Sequence, residues 1–174
     1  LGLGAKGLIG PAVGGIDDGK KLVEYSKYPP IGNRGMAMAR GSDFGLNTLP
    51  LPEHWALHNR ETLMIPMCET RGCLEAIEEI AALEGVDGIF VGPCDLSIAL
   101  GKPGAFDDPE VNAAFERVVA ACKAAGKFCL AFAPDTTLAE RFIKMGFHGC
   151  ASAIDVNLML SSYRCLVKEV KAVL

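Results

Sequence analysis

The sequence predicts an α/β fold, parallel strands alternating with helices, on three observations. Short apolar runs alternate along the chain with stretches of helical periodicity. The runs are continuously apolar, as in strands buried on both faces of a parallel sheet. Two of them end on a lone acid: LMIPMCET (63–70) carries Glu69 and IFVGPCDLSIALG (89–101) carries Asp95. A chain of 174 residues builds one core, so residues 1–174 are expected to form a single domain.

Taken in order, GLIGPAV (7–13) is a strand and DDGKKLVEYSKY (17–28) an amphipathic helix. LMIPMCE (63–69) is a strand that leads into a helix over 70–85. Leu74, Ile77, Ile80 and Ala81 repeat there at helical spacing, with Glu75, Glu78 and Glu79 on the outer face. GIFVGP (88–93) precedes a helix over 109–125, opened by Asp107, Asp108 and Pro109. KFCLAFAP (127–134) precedes a helix at 137–146 closed by Gly146, and HGCASAI (148–154) precedes a last helix from Asp155 to Val173. Five strand–helix units fit a βα barrel or a doubly wound sheet. No Gly-x-Gly-x-x-Gly follows a strand, which weakens the dinucleotide-binding form. A full (β/α)8 barrel has eight units in about 250 residues. The opening LGLGAKG reads as the end of a helix, so the chain is expected to be the C-terminal portion of a larger barrel. Residues 29–62 form a long connection with a short helix near 52–59. Its first part follows a helix and belongs at the N-terminal face of the strands. Its later part is expected along the barrel side or against a neighbouring subunit.

Half of the residues are apolar and 22% are charged, the composition of a soluble globular protein. A net charge of −4 argues against a nucleic-acid partner. No apolar run approaches the roughly 20 residues of a membrane span, and no export signal opens the chain. The seven cysteines include no Cys-x-x-Cys pair. They read as free thiols in a reducing, cytoplasmic compartment.

On one barrel face, Glu69 and Asp95 would end consecutive strands as neighbours. Two such carboxylates repel, and a shared divalent cation removes the conflict. The alternative is that each caps the helix or turn after it. A cation held there would polarise the keto group of a 2-oxo acid and stabilise the enolate. Gly92, Pro93 and Gly101 keep side chains clear, so that the backbone amides of residues 94–97 could meet a carboxylate.

YPPIGNRG (28–35), CET (68–70), EGVDGIFVGPCDLSIALG (84–101) and AFAPD (131–135) together resemble the HpcH/HpaI aldolase/citrate lyase family, in its metal-dependent class II pyruvate aldolase branch. The resemblance implies a (β/α)8 TIM barrel of the phosphoenolpyruvate/pyruvate type, with the last five βα units present here. It implies Glu69 and Asp95 as ligands of Mg2+, Mn2+ or Co2+, and Gly92, Pro93, Cys94, Asp95 and Leu96 as the substrate loop. The implied substrate is pyruvate, oxaloacetate or a 4-hydroxy-2-oxo acid, cleaved reversibly to pyruvate and an aldehyde. It also implies a homo-oligomer, a hexamer with the last helix exchanged between subunits. The family's catalytic histidine and pyruvate-binding arginine lie upstream of the matched region. The aspartate that partners that histidine falls at Gly2, so the acid/base pair is expected to be altered. The other readings are an incomplete barrel serving as an oligomeric interaction protein, and a decarboxylase of oxaloacetate.

His54 and His58 share a helical face and read as a surface or subunit contact rather than a zinc pair. His148 opens a strand and reads as structural. Arg34 could bind a carboxylate, but its place in the loop favours anchoring through hydrogen bonds. Asp135 is expected to cap the following helix. The last helix carries Val156, Leu160, Tyr163, Leu166, Val167 and Val170 on one stripe.

Overall fold

In the computed structural model, which describes residues 1–46 and 49–173, the five apolar runs are strands of one sheet. They are β1 (Gly7–Gly10), β2 (Leu63–Cys68), β3 (Gly88–Val91), β4 (Phe128–Ala133) and β5 (Gly149–Ser152), neighbours in chain order. Every pairing is parallel: Gly7 faces Leu63, Cys68 faces Val91, Val91 faces Ala131 and Ala133 faces Ser152. An order without reversal is an arc of a barrel, since a doubly wound sheet reverses at a switch point. The five strands form a half-barrel.

The helices are α1 (Ile16–Ser26), α2 (Leu51–Glu61), α3 (Arg71–Glu75), α4 (Ile77–Ala82), α5 (Pro93–Ala99), α6 (Pro109–Ala125), α7 (Thr136–Met145) and α8 (Asp155–Ala172). Local chemistry sets their ends. Asp108 accepts the Glu110 N–H at 2.8 Å and Asp135 accepts that of Leu138 at 2.9 Å. Gly126 and Gly146 close α6 and α7 at φ 67° and 104°, a region that disfavours other residues. The core fills the space between sheet and helices. Ile77 and Ile80 of α4, Val118 of α6, and Ile89 and Val91 of β3 are all fully buried, and Phe115 meets Phe142 edge to face at 5.2 Å. Each such side chain contributes about 1.5–3 kcal/mol.

Several expectations are corrected. The segment before β1 is turn, not a helix end. The helix over 70–85 is two, broken at Ala76, where Arg117 Nη2 takes the Glu75 carbonyl at 3.2 Å. The helix α5 and a short irregular turn at Arg40–Gly45 were not legible. Burial on both faces holds for β3, whose four residues are all buried. β4 alternates buried with half-buried positions, and Leu8 and Ile9 of β1 are 40% and 44% exposed. The physical reason is the open arc: end strands have one neighbour, and no described element faces the concave side. Every residue of α8 from 155 to 172 is exposed. No helix among the described residues is long and apolar enough to cross a membrane.

At the N-terminal ends of the strands, the buried Lys27 ties the long connection down. Its ammonium donates to the carbonyls of Asn59 and Thr62 and to Asp87 at 2.8 Å. Asp87 in turn accepts the Met64 N–H at 2.7 Å. Asn59 brackets Tyr28, accepting its N–H at 2.7 Å and donating to its carbonyl at 2.9 Å. The expected placement of this connection's first part is thus borne out; positions 47 and 48 lie outside the described residues.

Candidate metal and substrate site

Parallel strands bring all their C-terminal ends to one rim. Cys68 pairs with Val91, and the Gly92 N–H donates to the Cys68 carbonyl at 3.3 Å. Glu69 and Gly92 therefore stand level on adjacent strands. One Glu69 carboxylate oxygen, Oε1, accepts the Ala12 N–H at 2.6 Å from the loop after β1. Ala12 takes the left-handed φ of 55° in presenting that amide. The other oxygen faces Gly92, where an added methyl would stand 2.9 Å from Oε2. A side chain here would displace the Glu69 carboxylate.

Asp95 lies in the first turn of α5, where the helix dipole favours a negative charge. It is exposed, and its carboxylate has no hydrogen bond or ion pair with a described residue. Neither acid is a cap. The cap of α3 is Thr70, whose Oγ1 accepts the Cys73 N–H at 3.0 Å while donating to the Val13 carbonyl. Thr70 thereby locks the segment holding Glu69 to the loop holding Ala12. Its signal in the sequence was the threonine directly before a helical run. Ser97 also escaped notice. Fully buried, it donates to the Cys94 carbonyl at 2.6 Å and accepts the Gly104 N–H at 2.9 Å, fixing the first turn of α5.

The substrate loop is narrower than expected. The Leu96 side chain is fully buried and its amide donates to the Gly92 carbonyl at 2.9 Å, so Leu96 has nothing left for a ligand. The amide of Ser97 falls deeper in the same helix. The Cys94 and Asp95 amides precede the first intrahelical bond and stay open. Gly92 and Pro93 are buried and shape the turn. Among the described residues no group of three or more His, Cys, Asp or Glu could hold a metal, so the chain's own donors here are the two carboxylates.

The histidines all lie away from this rim. His54 is only 3% exposed, against the surface placement expected, with its ring 4.2 Å from that of His58 and both beside Tyr28. The imidazole of His58 is held below its usual range by burial first, then by the charges of His54, Arg34 and Lys6. His148 Nδ1 accepts the Cys129 N–H at 3.1 Å at the start of β5, a structural role as expected. Arg34 anchors the loop by stacking 4.7 Å from the Tyr28 ring centre rather than by side-chain hydrogen bonds. Gly2 lies elsewhere in this chain. It precedes β1 and its carbonyl accepts the Gly41 N–H at 3.0 Å, at the end of the sheet opposite Glu69. Four cysteines, Cys68, Cys73, Cys122 and Cys129, are buried free thiols, and that of Cys68 is pushed up by its contact with Cys73 and by burial.

A family model described as HpcH/HpaI aldolase/citrate lyase matches residues 1–162. The chain belongs to that family. A pyruvate aldolase of Rhizobium etli is 36% identical over 160 residues, covering 91% of this chain and 61% of the relative. A 4-hydroxy-2-oxo-heptane-1,7-dioate aldolase of Shigella flexneri is 32% identical over 168 residues, 95% of this chain and 61% of the relative. The crystal structure of a family protein from Burkholderia cenocepacia J2315 superimposes with a TM-score of 0.86 at 34% identity, over 97% of this chain and 66% of that one. The named relatives are aldolases, which are lyases, and the chain spans about three-fifths of their length.

Proposed function

We propose that the protein is a divalent-metal-dependent lyase that reversibly cleaves a 4-hydroxy-2-oxo acid to pyruvate and an aldehyde, within a completed (β/α)8 barrel. The observation that carries this reading is that Glu69 and Asp95 follow adjacent parallel strands at one rim. One Glu69 oxygen is fixed by the Ala12 amide, and neither the other oxygen nor Asp95 has a hydrogen bond or ion pair with a described residue. Two hard carboxylate donors with no cationic partner fit Mg2+, Mn2+ or Co2+, with water and substrate oxygens completing the shell. When bound, the cation is a Lewis acid that polarises the keto oxygen and lowers the cost of the negative charge developing as the carbon–carbon bond breaks.

The chain's own residues do the rest of the positioning. Glu69 and Asp95 set the ion's place, Thr70 and Ser97 hold their segments, and the Cys94 and Asp95 amides receive the substrate carboxylate. No histidine reaches this rim, so the chain contributes the metal and carboxylate half of the site; proton transfer falls to other groups. The exposed α8 supports a homo-oligomer in which its apolar face packs against a second copy. The test is titration calorimetry with Mn2+. One site is expected, lost in the double variant Glu69→Gln, Asp95→Asn while circular dichroism is unchanged. Undiminished Mn2+ affinity in that variant would remove the reading.

A further inference from the structure

We propose that a hollow of about 180 Å3 at the N-terminal face, walled by Lys6, Arg34, Arg40 and His58, binds a small oxyanion of the phosphate class. This site lies at the other end of the strands from Glu69 and stands independently of the metal reading.

Charge is the first argument. Lys6, Arg34 and Arg40 line one hollow, yet none has an ion pair with a described residue. Several other cations are matched: Lys27 with Asp87, Lys102 with Asp108, Arg117 with Glu78 and Arg141 with Asp107. Three like charges around one cavity repel unless an anion joins them. In a protein of net charge −4, this concentration is not a general basic surface. The His58 imidazole is held low mainly by burial and by His54, with Arg34 and Lys6 of the hollow adding to the effect.

Polar chemistry is the second. Thr62 lines the hollow and is 3% exposed, and its hydroxyl has no hydrogen-bond partner among the described residues. A bound oxyanion gives that donor an acceptor. Preorganisation is the third. Arg34 lies over the Tyr28 ring, which fixes its plane and leaves its N–H edge free. The Arg40 stem runs so close to Gly4 that a methyl there would stand 3.3 Å from its Cγ and Cδ. The volume equals that of about six waters, room for a phosphate or the phosphate end of an ester but not for a nucleotide.

The experiment is 31P NMR and calorimetry of the chain with inorganic phosphate at low ionic strength, with glycerol 3-phosphate as the ester arm. One site is expected, weakened by salt and by about tenfold in Arg40→Gln and in Lys6→Gln. Gly2→Asp is expected to abolish binding. A side chain at Gly2 meets nothing within 4 Å, and its carbonyl already bonds to Gly41 beside Arg40, so the new carboxylate would supply the counter-charge itself. Binding of both ligands assigns the site to phosphate esters, and binding of inorganic phosphate alone assigns it to the free ion. Absence of binding at millimolar phosphate, or binding that survives both Arg40→Gln and Gly2→Asp, overturns the proposal.

Discussion

Replacing Lys27 by methionine is expected to destabilise the protein by about 3 kcal/mol. Methionine keeps the length and apolar stem of the side chain but removes the ammonium. That ammonium is 1% exposed and donates to two carbonyls and to the Asp87 carboxylate at 2.8 Å. Breaking a buried ion pair by removing one partner costs about 3–5 kcal/mol. Asp87 keeps the Met64 amide and is 28% exposed, so water partly repairs its loss and the cost falls at the low end. The stranded carbonyls of Asn59 and Thr62 account for about 1 kcal/mol each within that total. The assay is urea unfolding followed by circular dichroism. With a slope of about 2 kcal/mol/M, the midpoint should fall by about 1.5 M at unchanged slope. Asp87→Asn should cost less, because Lys27 retains both carbonyls. A loss below about 1 kcal/mol for Lys27→Met would refute the view that this ammonium pins the long connection to β2 and β3.

At the rim, Gly92→Ala pushes a methyl to within 2.9 Å of Glu69 Oε2, so the carboxylate must move; Mn2+ affinity by calorimetry should drop about tenfold with the fold retained. The carboxyl of Glu78 is held below the usual glutamate range by its hydrogen bonds from Arg117. Because its folded value is the lower one, its stabilisation is complete above the usual range and disappears as pH falls through the folded value. Both side chains are about half exposed, so Glu78→Gln should cost under about 1 kcal/mol at neutral pH and nothing in strong acid, by urea midpoints at the two conditions. If α8 packs on a second copy, Leu160→Glu with Val167→Glu should lower the mass seen by light scattering to that of one chain. An unchanged mass would reject that role for the helix.

Much of the candidate site could be read from residue order alone. A strand that ends in Cys68 and Glu69, and another that ends in Gly92, Pro93 and Asp95, place two acids on one rim as soon as the strands are parallel and adjacent. Asp135 was visible as a cap because capping is local chemistry, decided by a side chain and an amide two or three residues on; Thr70, placed in the same way before α3, was passed over. Leu96 was misplaced because one turn of α5 rotates it into the core, and the apolar run before it hides the start of that helix.

What the sequence determined by itself was therefore the alternation of parallel strands with helices and the lone acid after each of two strands, since burial period and local capping act over a few neighbouring residues. What only the tertiary structure decided was which oxygens and amides remain free. Ala12 reaching Glu69 across 57 positions, Lys27 reaching Asp87 across 60, and three cations gathering around Thr62 from distant segments are products of packing. No periodicity records them, because the Coulomb and hydrogen-bond energies involved depend on distances that exist only once the half-barrel has closed around its core.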